Sequence, residues 1–384
     1  MSQLDQTIET LRDLIAFPTI STDSNLAMID YLAERLTAAG ARVEVMRDAS
    51  GGKANLWATL GPDVDGGIVL SGHTDVVPVA DQDWSSDPFE LVERDGRLFG
   101  RGACDMKGFI AACVAMAPRL AARVGERPVH FAFTHDEEVG CIGAKHLVAA
   151  LKNSGLAPSV AIIGEPTSMR VIEGHKGCYE YSTEFNGLEG HGSSPDLGVN
   201  AVEYAARYVA RLLGLREQLK ARTPEGSRFQ PPYSTINVGA LHGGVAHNVI
   251  ASKAVVSWET RPVVAEDGEF VKTDMADYVQ DFLLPAMQAV DPEASITTHV
   301  EGEVAGLEPM EVNAARDLVA ELTGANGADV VPFGTEAGLF QSLGMDVVVC
   351  GPGSIEQAHK ADEFVSRDQL QACLDMLGKL TDRL

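Results

Sequence analysis

Four short apolar runs, each stopped by a polar or glycine-rich segment, constrain this chain more than any other feature. Ile68-Val69-Leu70 runs into Ser71-Gly72-His73-Thr74-Asp75, and Val129-His130-Phe131-Ala132-Phe133 leads to Asp136-Glu137-Glu138. Val160-Ala161-Ile162-Ile163 precedes Gly164-Glu165, and Val347-Val348-Val349 precedes Gly351-Pro352-Gly353, with His359 soon after. Runs this short and rich in β-branched residues read as parallel strands buried on both faces. Open α/β sheets collect ligands outside the carboxyl ends of their strands. Carboxylates and imidazoles far apart in sequence are therefore expected on one edge, which is how a metal site is assembled. An enzyme is expected.

A chain of 384 residues exceeds one small core and is expected to hold two domains. Its 45% apolar and 22% charged residues describe a soluble globular protein. The formal net charge of -25 repels phosphate backbones and anionic lipid, so neither nucleic acid nor a membrane is an expected partner. Cys104, Cys113, Cys141, Cys178, Cys350 and Cys373 form no C-x-x-C pair and read as reduced thiols. The start Met1-Ser2-Gln3-Leu4-Asp5 lacks the basic and apolar regions of a signal peptide. No stretch approaches the roughly eighteen apolar residues of a membrane span. The expected compartment is the cytoplasm.

Along the chain, Leu4, Ile8, Leu11, Leu14 and Ile15 share one helical face that Pro18 stops, and a second helix is expected over 24–39 with Gly40 as its cap. Residues 109–120 and 141–151 read as further helices, so strand and helix alternate. That alternation argues a mostly parallel or mixed sheet with helices on both faces. The pattern changes near Gly177. Residues 179–185 alternate as a half-buried antiparallel strand does, a Gly/Ser-rich turn follows over 190–195, and a long helix is expected over 200–219. Strands over 234–241 and 249–261 and a helix over 271–289 complete a small α+β domain set into the first. The boundaries expected are 1–178 and 295–384 for the main domain and 179–294 for the insert.

The polar groups carry readings of unequal weight. His73 and Asp75 are one residue apart and face the same side of an extended chain, so one can bind a metal while the other supports it. Alternatively His73 is an ordinary loop histidine. Asp105 opens a helix in a glycine-spaced turn and is either a ligand or an N-cap. Glu137 and Glu138 are adjacent and cannot point the same way in an extended segment, which leaves one to ligate and the other free as a base, or both solvated. Glu165, ending a buried strand, needs a cation or hydrogen bonds. With His359 these make two imidazoles and three carboxylate ligands, enough for two ions sharing one carboxylate and a water. Nitrogen and oxygen donors without thiolate suit zinc, with cobalt or manganese able to substitute.

Ser71-Gly72-His73-Thr74-Asp75-Val76-Val77-Pro78, the stretch 100–108, Asp136-Glu137-Glu138-Val139-Gly140 and Gly164-Glu165-Pro166-Thr167 together resemble the dinuclear-zinc aminoacylase and deacylase family of metallopeptidases. Glu165-Pro166-Thr167-Ser168, Gly174-His175-Lys176-Gly177, the stretches 190–195, 198–201 and 242–244, Gly334-Thr335-Glu336-Ala337 and the stretch 351–359 look most like its acetylornithine deacetylase branch. The resemblance implies two zinc ions per subunit. His73, Asp105 and Glu165 would hold one and Asp105, Glu138 and His359 the other, with a cis peptide after Asp105. It implies that Asp75 orients His73 and that Glu137 is the general base. The insert resembles the family's ferredoxin-like dimerisation or lid domain, implying a homodimer in which His191 stabilises the transition state in the partner's site. Arg261 and Asn248 are candidates for the substrate carboxylate, and Glu336 for a substrate ammonium or a buried structural role. The implied substrate is an N-acyl amino acid, with N-acetyl-ornithine first. N-succinyl-diaminopimelate, another N-acyl amino acid or a dipeptide is the alternative. His130, His135, His146, His175, His242, His247 and His299 read as structural or surface groups.

Overall fold

The four apolar runs are neighbouring parallel strands. In the computed structural model, which describes residues 1–384, Val129–Thr134, Ile68–His73, Val160–Pro166 and Asp346–Gly351 lie side by side in that order. Each adjacent pair is parallel, and every residue in them except Asp346 is buried. Parallel pairing aims all four carboxyl ends at the same edge. Four more strands complete a mixed, eight-stranded sheet. Ala54–Leu60 and then Arg42–Arg47 extend one side, and Ile172–His175 and Asp329–Val331 the other.

Helices flank this sheet. Gln3–Ile15 begins at a capping box, Ser2 and Asp5 exchanging side-chain and backbone hydrogen bonds of 3.1 and 3.0 Å, and buries Ile8, Leu11, Leu14 and Ile15. Lys107–Ala121 buries Phe109, Ile110, Cys113 and Met116. It packs so closely against the sheet that a Cβ on Gly164 would lie 2.0 Å from the Phe109 ring. Glycine at 164 therefore sets the depth of the strand that ends in Glu165. All six cysteines are free, and five are buried. No helix is long and apolar enough to cross a membrane.

The chain divides into two compact units. The first comprises Met1–Gly174, Pro309–Val330 and Thr335–Leu384, the second His175–Glu308 and Val331–Gly334. The second unit is a four-stranded antiparallel sheet in the order Thr235–Gly243, Lys253–Arg261, Cys178–Asn186, Ser295–Val304. Tyr181, Phe185, Val256 and Trp258 on one face form a core with Tyr208 and Leu212 of helix Ala201–Ala221 and Val271 and Met275 of helix Ala265–Tyr278.

Two expectations are corrected here. Residues 295–304 are not the return to the first domain, because Ser295–Val304 is an edge strand bonded to Cys178–Asn186 and the second unit runs on to Glu308. The expected strand over 249–261 is two strands. Val249–Ile250 pairs with Gly190–His191, and Lys253–Arg261 joins the four-stranded sheet.

Candidate metal centre

Asp105 lies between two imidazoles. His73 Nε2 is 3.0 Å from one of its carboxylate oxygens, and His359 Nε2 is 3.3 Å from the other. Glu165 adds an oxygen 3.9 Å from His73 Nε2, and Glu138 one 3.1 Å from His359 Nε2. Five side chains from five separate segments thus form two groups that share one carboxylate. The peptide between Asp105 and Met106 is cis.

Each segment has a local reason to arrive there. His73 ends its strand fully buried, and its Nδ1 is 2.9 Å from the backbone carbonyl oxygen of Asp75. A carbonyl only accepts, so Nδ1 carries a proton and Nε2 is the nitrogen that faces the centre. His359 is held at φ 62° in a loop, with 53% of its side chain accessible.

The expected role of Asp75 is refined. Its carbonyl, not its carboxylate, orients His73; the nearer carboxylate oxygen lies 3.7 Å from Nδ1. The carboxylate accepts the backbone N–H of Glu137 at 3.0 Å and of Glu138 at 3.3 Å, and the Ser21 hydroxyl at 2.7 Å. The premise that Glu137 and Glu138 lie on an extended segment is corrected as well. Asp136 turns the chain at φ 55°, so the segment is not extended. Glu138 then groups with His73 and Asp105, and Glu137 with His73 and Glu165, ligand atoms lying within 4.8 Å of one another in each group.

The electrostatics favour positive charge at this centre. A lone-pair nitrogen aimed at carboxylate oxygens is unfavourable unless a cation or proton lies between. Burial pushes Glu137 up to about 8, with Glu138, Asp105 and Asp75 adding to it against the opposing His73. Burial also raises Glu138, and raises Glu165 well above its ordinary range. Asp105 goes the other way, because hydrogen bonds from His359 and His73 outweigh its burial. His73 is raised well above its usual value by Asp105 and Glu165 despite burial, and His359 is raised to about 10 by its bonds to Asp105 and Glu138. The donor spacings of 3.0, 3.1, 3.3 and 3.9 Å bring imidazole nitrogens and carboxylate oxygens close enough to share a cation. The residues offer candidate ligand groups for metal ions. Cys104 takes no part: its Sγ is turned to the Ser354 carbonyl at 3.2 Å.

The remaining candidates stand elsewhere. Glu336 is fully buried, and its two oxygens accept the hydroxyls of Ser71 at 2.5 Å and Thr134 at 2.7 Å. These two bonds give the carboxylate partners within the sheet. His191, Asn248 and Arg261 belong to the second unit. His191 is exposed, its Nδ1 2.8 Å from the Ser193 hydroxyl, and Gly192 N–H donates to the Asn248 carbonyl at 2.8 Å. Arg261 pairs with Glu259 at 2.8 Å and lies 3.8 Å from Glu180. The sequence reading missed Glu363 and Arg101, which hold the Asp105 loop. The one available signal is an acid four residues after His359.

Residues 69–383 match the protein family described as peptidase family M20/M25/M40. The chain belongs to this family. Among its M20 relatives, a protein of Myxococcus xanthus named acetylornithine deacetylase is 38% identical, over 96% of this chain and 95% of that one. One of the same name from Proteus mirabilis is 36% identical, over 98% and 96%. The fold matches that of an M20 family metallo-carboxypeptidase from Sulfolobus solfataricus with a TM-score of 0.74 at 17% identity, covering 98% of each chain. This M20 chain is a metal-dependent amide hydrolase.

Proposed function

We propose that this M20 hydrolase removes the acetyl group of N-acetyl-L-ornithine, giving L-ornithine and acetate, a step of arginine biosynthesis. The observation that carries the reading is the shared carboxylate of Asp105, with an imidazole on each oxygen. The choice of substrate rests on the name of the two relatives, at 36% and 38% identity over nearly the whole chain.

In this reading His73, Asp105 and Glu165 hold one zinc ion and Asp105, Glu138 and His359 the other, with cobalt or manganese able to replace them. Two cations held there supply Lewis acidity to the attacking water and to the amide oxygen. Glu137, which neither ligand set needs for completion, takes a proton from the water as its oxygen bonds to the carbonyl carbon. The same carboxyl then gives that proton to the departing nitrogen as the C–N bond breaks. Asp75 holds the backbone of Glu137 and Glu138 so that base and ligand keep their spacing. The second unit serves as the contact of a cytoplasmic homodimer, and His191 of one copy steadies the negative oxygen in the site of the other. Arg261 and Asn248 serve the substrate carboxylate, Arg261 after release from Glu259.

A substrate panel on the zinc-loaded protein tests this. Acetylornithine should show the highest kcat/KM against N-succinyl-diaminopimelate, other N-acyl amino acids and dipeptides. A higher value for any of these would reassign the substrate.

A further inference from the structure

Beneath the Asp105 loop lies a buried ion pair that no step above uses. Glu363 accepts the backbone N–H of Cys104 at 2.9 Å and of Asp105 at 3.0 Å on one oxygen, and that of Gly102 at 3.0 Å on the other. The second oxygen also takes the Arg101 guanidinium at 2.7 Å, and both residues are 1% exposed. Arg101 then spreads to the neighbouring loops. It donates to the Lys360 carbonyl at 3.2 Å and to the Gln82 side-chain oxygen at 2.5 Å. The Gln82 amide in turn donates to the His359 carbonyl at 2.9 Å.

One network thus grips the backbone of Asp105 and of His359, and Glu363 arrives on the same segment as His359. His359 sits at φ 62°, a conformation its surroundings have to hold. His73 and Glu165, by contrast, lie within buried strands and need no such support.

We propose that the Arg101–Glu363 pair, acting with Gln82, is the positioning element of the cation subsite formed by Asp105, Glu138 and His359, and sets its affinity more strongly than that of the subsite on His73, Asp105 and Glu165, which meets the network at Asp105 alone. The proposal rests on the ligand assignment given above. A charged acceptor is needed because four donors converge on one carboxylate. Glutamine at 363 would turn an NH2 either toward the Gly102 N–H and Arg101 or toward the N–H groups of Cys104 and Asp105, and leave a buried guanidinium without its counter-charge.

The test is titration of metal-free protein with cobalt(II), followed by calorimetry and by visible absorption, for wild type, Glu363→Gln, Gln82→Ala and His359→Ala. Wild type should take two equivalents. In Glu363→Gln the second equivalent should bind about 10–100-fold more weakly, the range for lost outer partners of metal ligands, and the first, which shares Asp105, should weaken by clearly less. The absorption from the second cobalt should change as well. Gln82→Ala should show a smaller loss in the same direction. Gln82 is partly exposed, so its variant decides the matter if Glu363→Gln does not fold. Two wild-type affinities and an unchanged cobalt spectrum in these variants, with only a lower melting temperature, would overturn the proposal while leaving the ligand assignment standing. Two equivalents bound by His359→Ala would remove the subsite itself, and the proposal with it.

Discussion

The carboxylate of Asp75 accepts the backbone N–H of Glu137 at 3.0 Å, while the carbonyl of the same residue receives the Nδ1–H of His73 at 2.9 Å. One residue therefore sets the position of the proposed base and the tautomer of a metal ligand. Asp75→Asn would face an amide NH2 toward N–H donors. We expect kcat/KM to fall about 10–100-fold with the protein still folded, as for other outer partners of metal ligands. Steady-state kinetics beside a thermal melt check this, and unchanged kinetics would release Asp75 from the role.

Glu137 is grouped with His73 and Glu165 but is not needed to complete either ligand set. Glu137→Ala should retain two metal equivalents by atomic absorption while kcat drops about 10²–10⁴-fold. Loss of metal instead would make Glu137 a ligand.

If His191 works across a homodimer, two inactive variants should rescue each other. His191→Ala and Glu137→Ala subunits, unfolded and reassembled together, form mixed dimers in half the cases, each with one of two sites intact. Activity should return to about a quarter of wild type. No recovery, in a preparation shown to contain mixed dimers, would place His191 in its own subunit's site or outside catalysis.

The buried His130 gives stability a pH dependence far from the metal centre. Its ring stacks on Trp57, its Nδ1 lies 2.9 Å from the Thr59 hydroxyl, and burial, helped by Arg42 and opposed by Asp63, lowers it to about 4. The folded value lies below the ordinary 6.5, so the unfolded chain binds more protons between the two. The neutral ring's contribution is therefore complete above pH 6.5 and is lost as pH falls toward 4. Denaturant melts of wild type and His130→Gln at pH 7.5 and pH 5 should differ in their pH response by about 2 kcal/mol. Parallel responses would mean that His130 titrates normally.

Much of this was legible in the sequence, for physical reasons that differ by element. The four apolar runs could only be buried strands, and parallel pairing then forced His73, Glu165 and the segments after Thr134 and Gly351 to one edge. Tyr179, Tyr181 and Phe185 declared a one-sided strand by alternation. Ser295–Val304 was missed because an edge strand with mostly exposed polar residues lacks that alternation. The Arg101–Glu363 pair was missed because its hydrogen bonds join positions 262 residues apart, which no local pattern reports. The partners of Glu336 escaped notice for a related reason: Ser71 and Thr134 lie on two separate strands far off in sequence.

Anomalous scattering at the zinc edge from crystals of the zinc-loaded protein tests the central claim most directly. Two peaks roughly 3.5–4 Å apart are expected, one among His73, Asp105 and Glu165 and the other among Asp105, Glu138 and His359. A single peak at full loading, or two that share no contact with Asp105, would contradict the account.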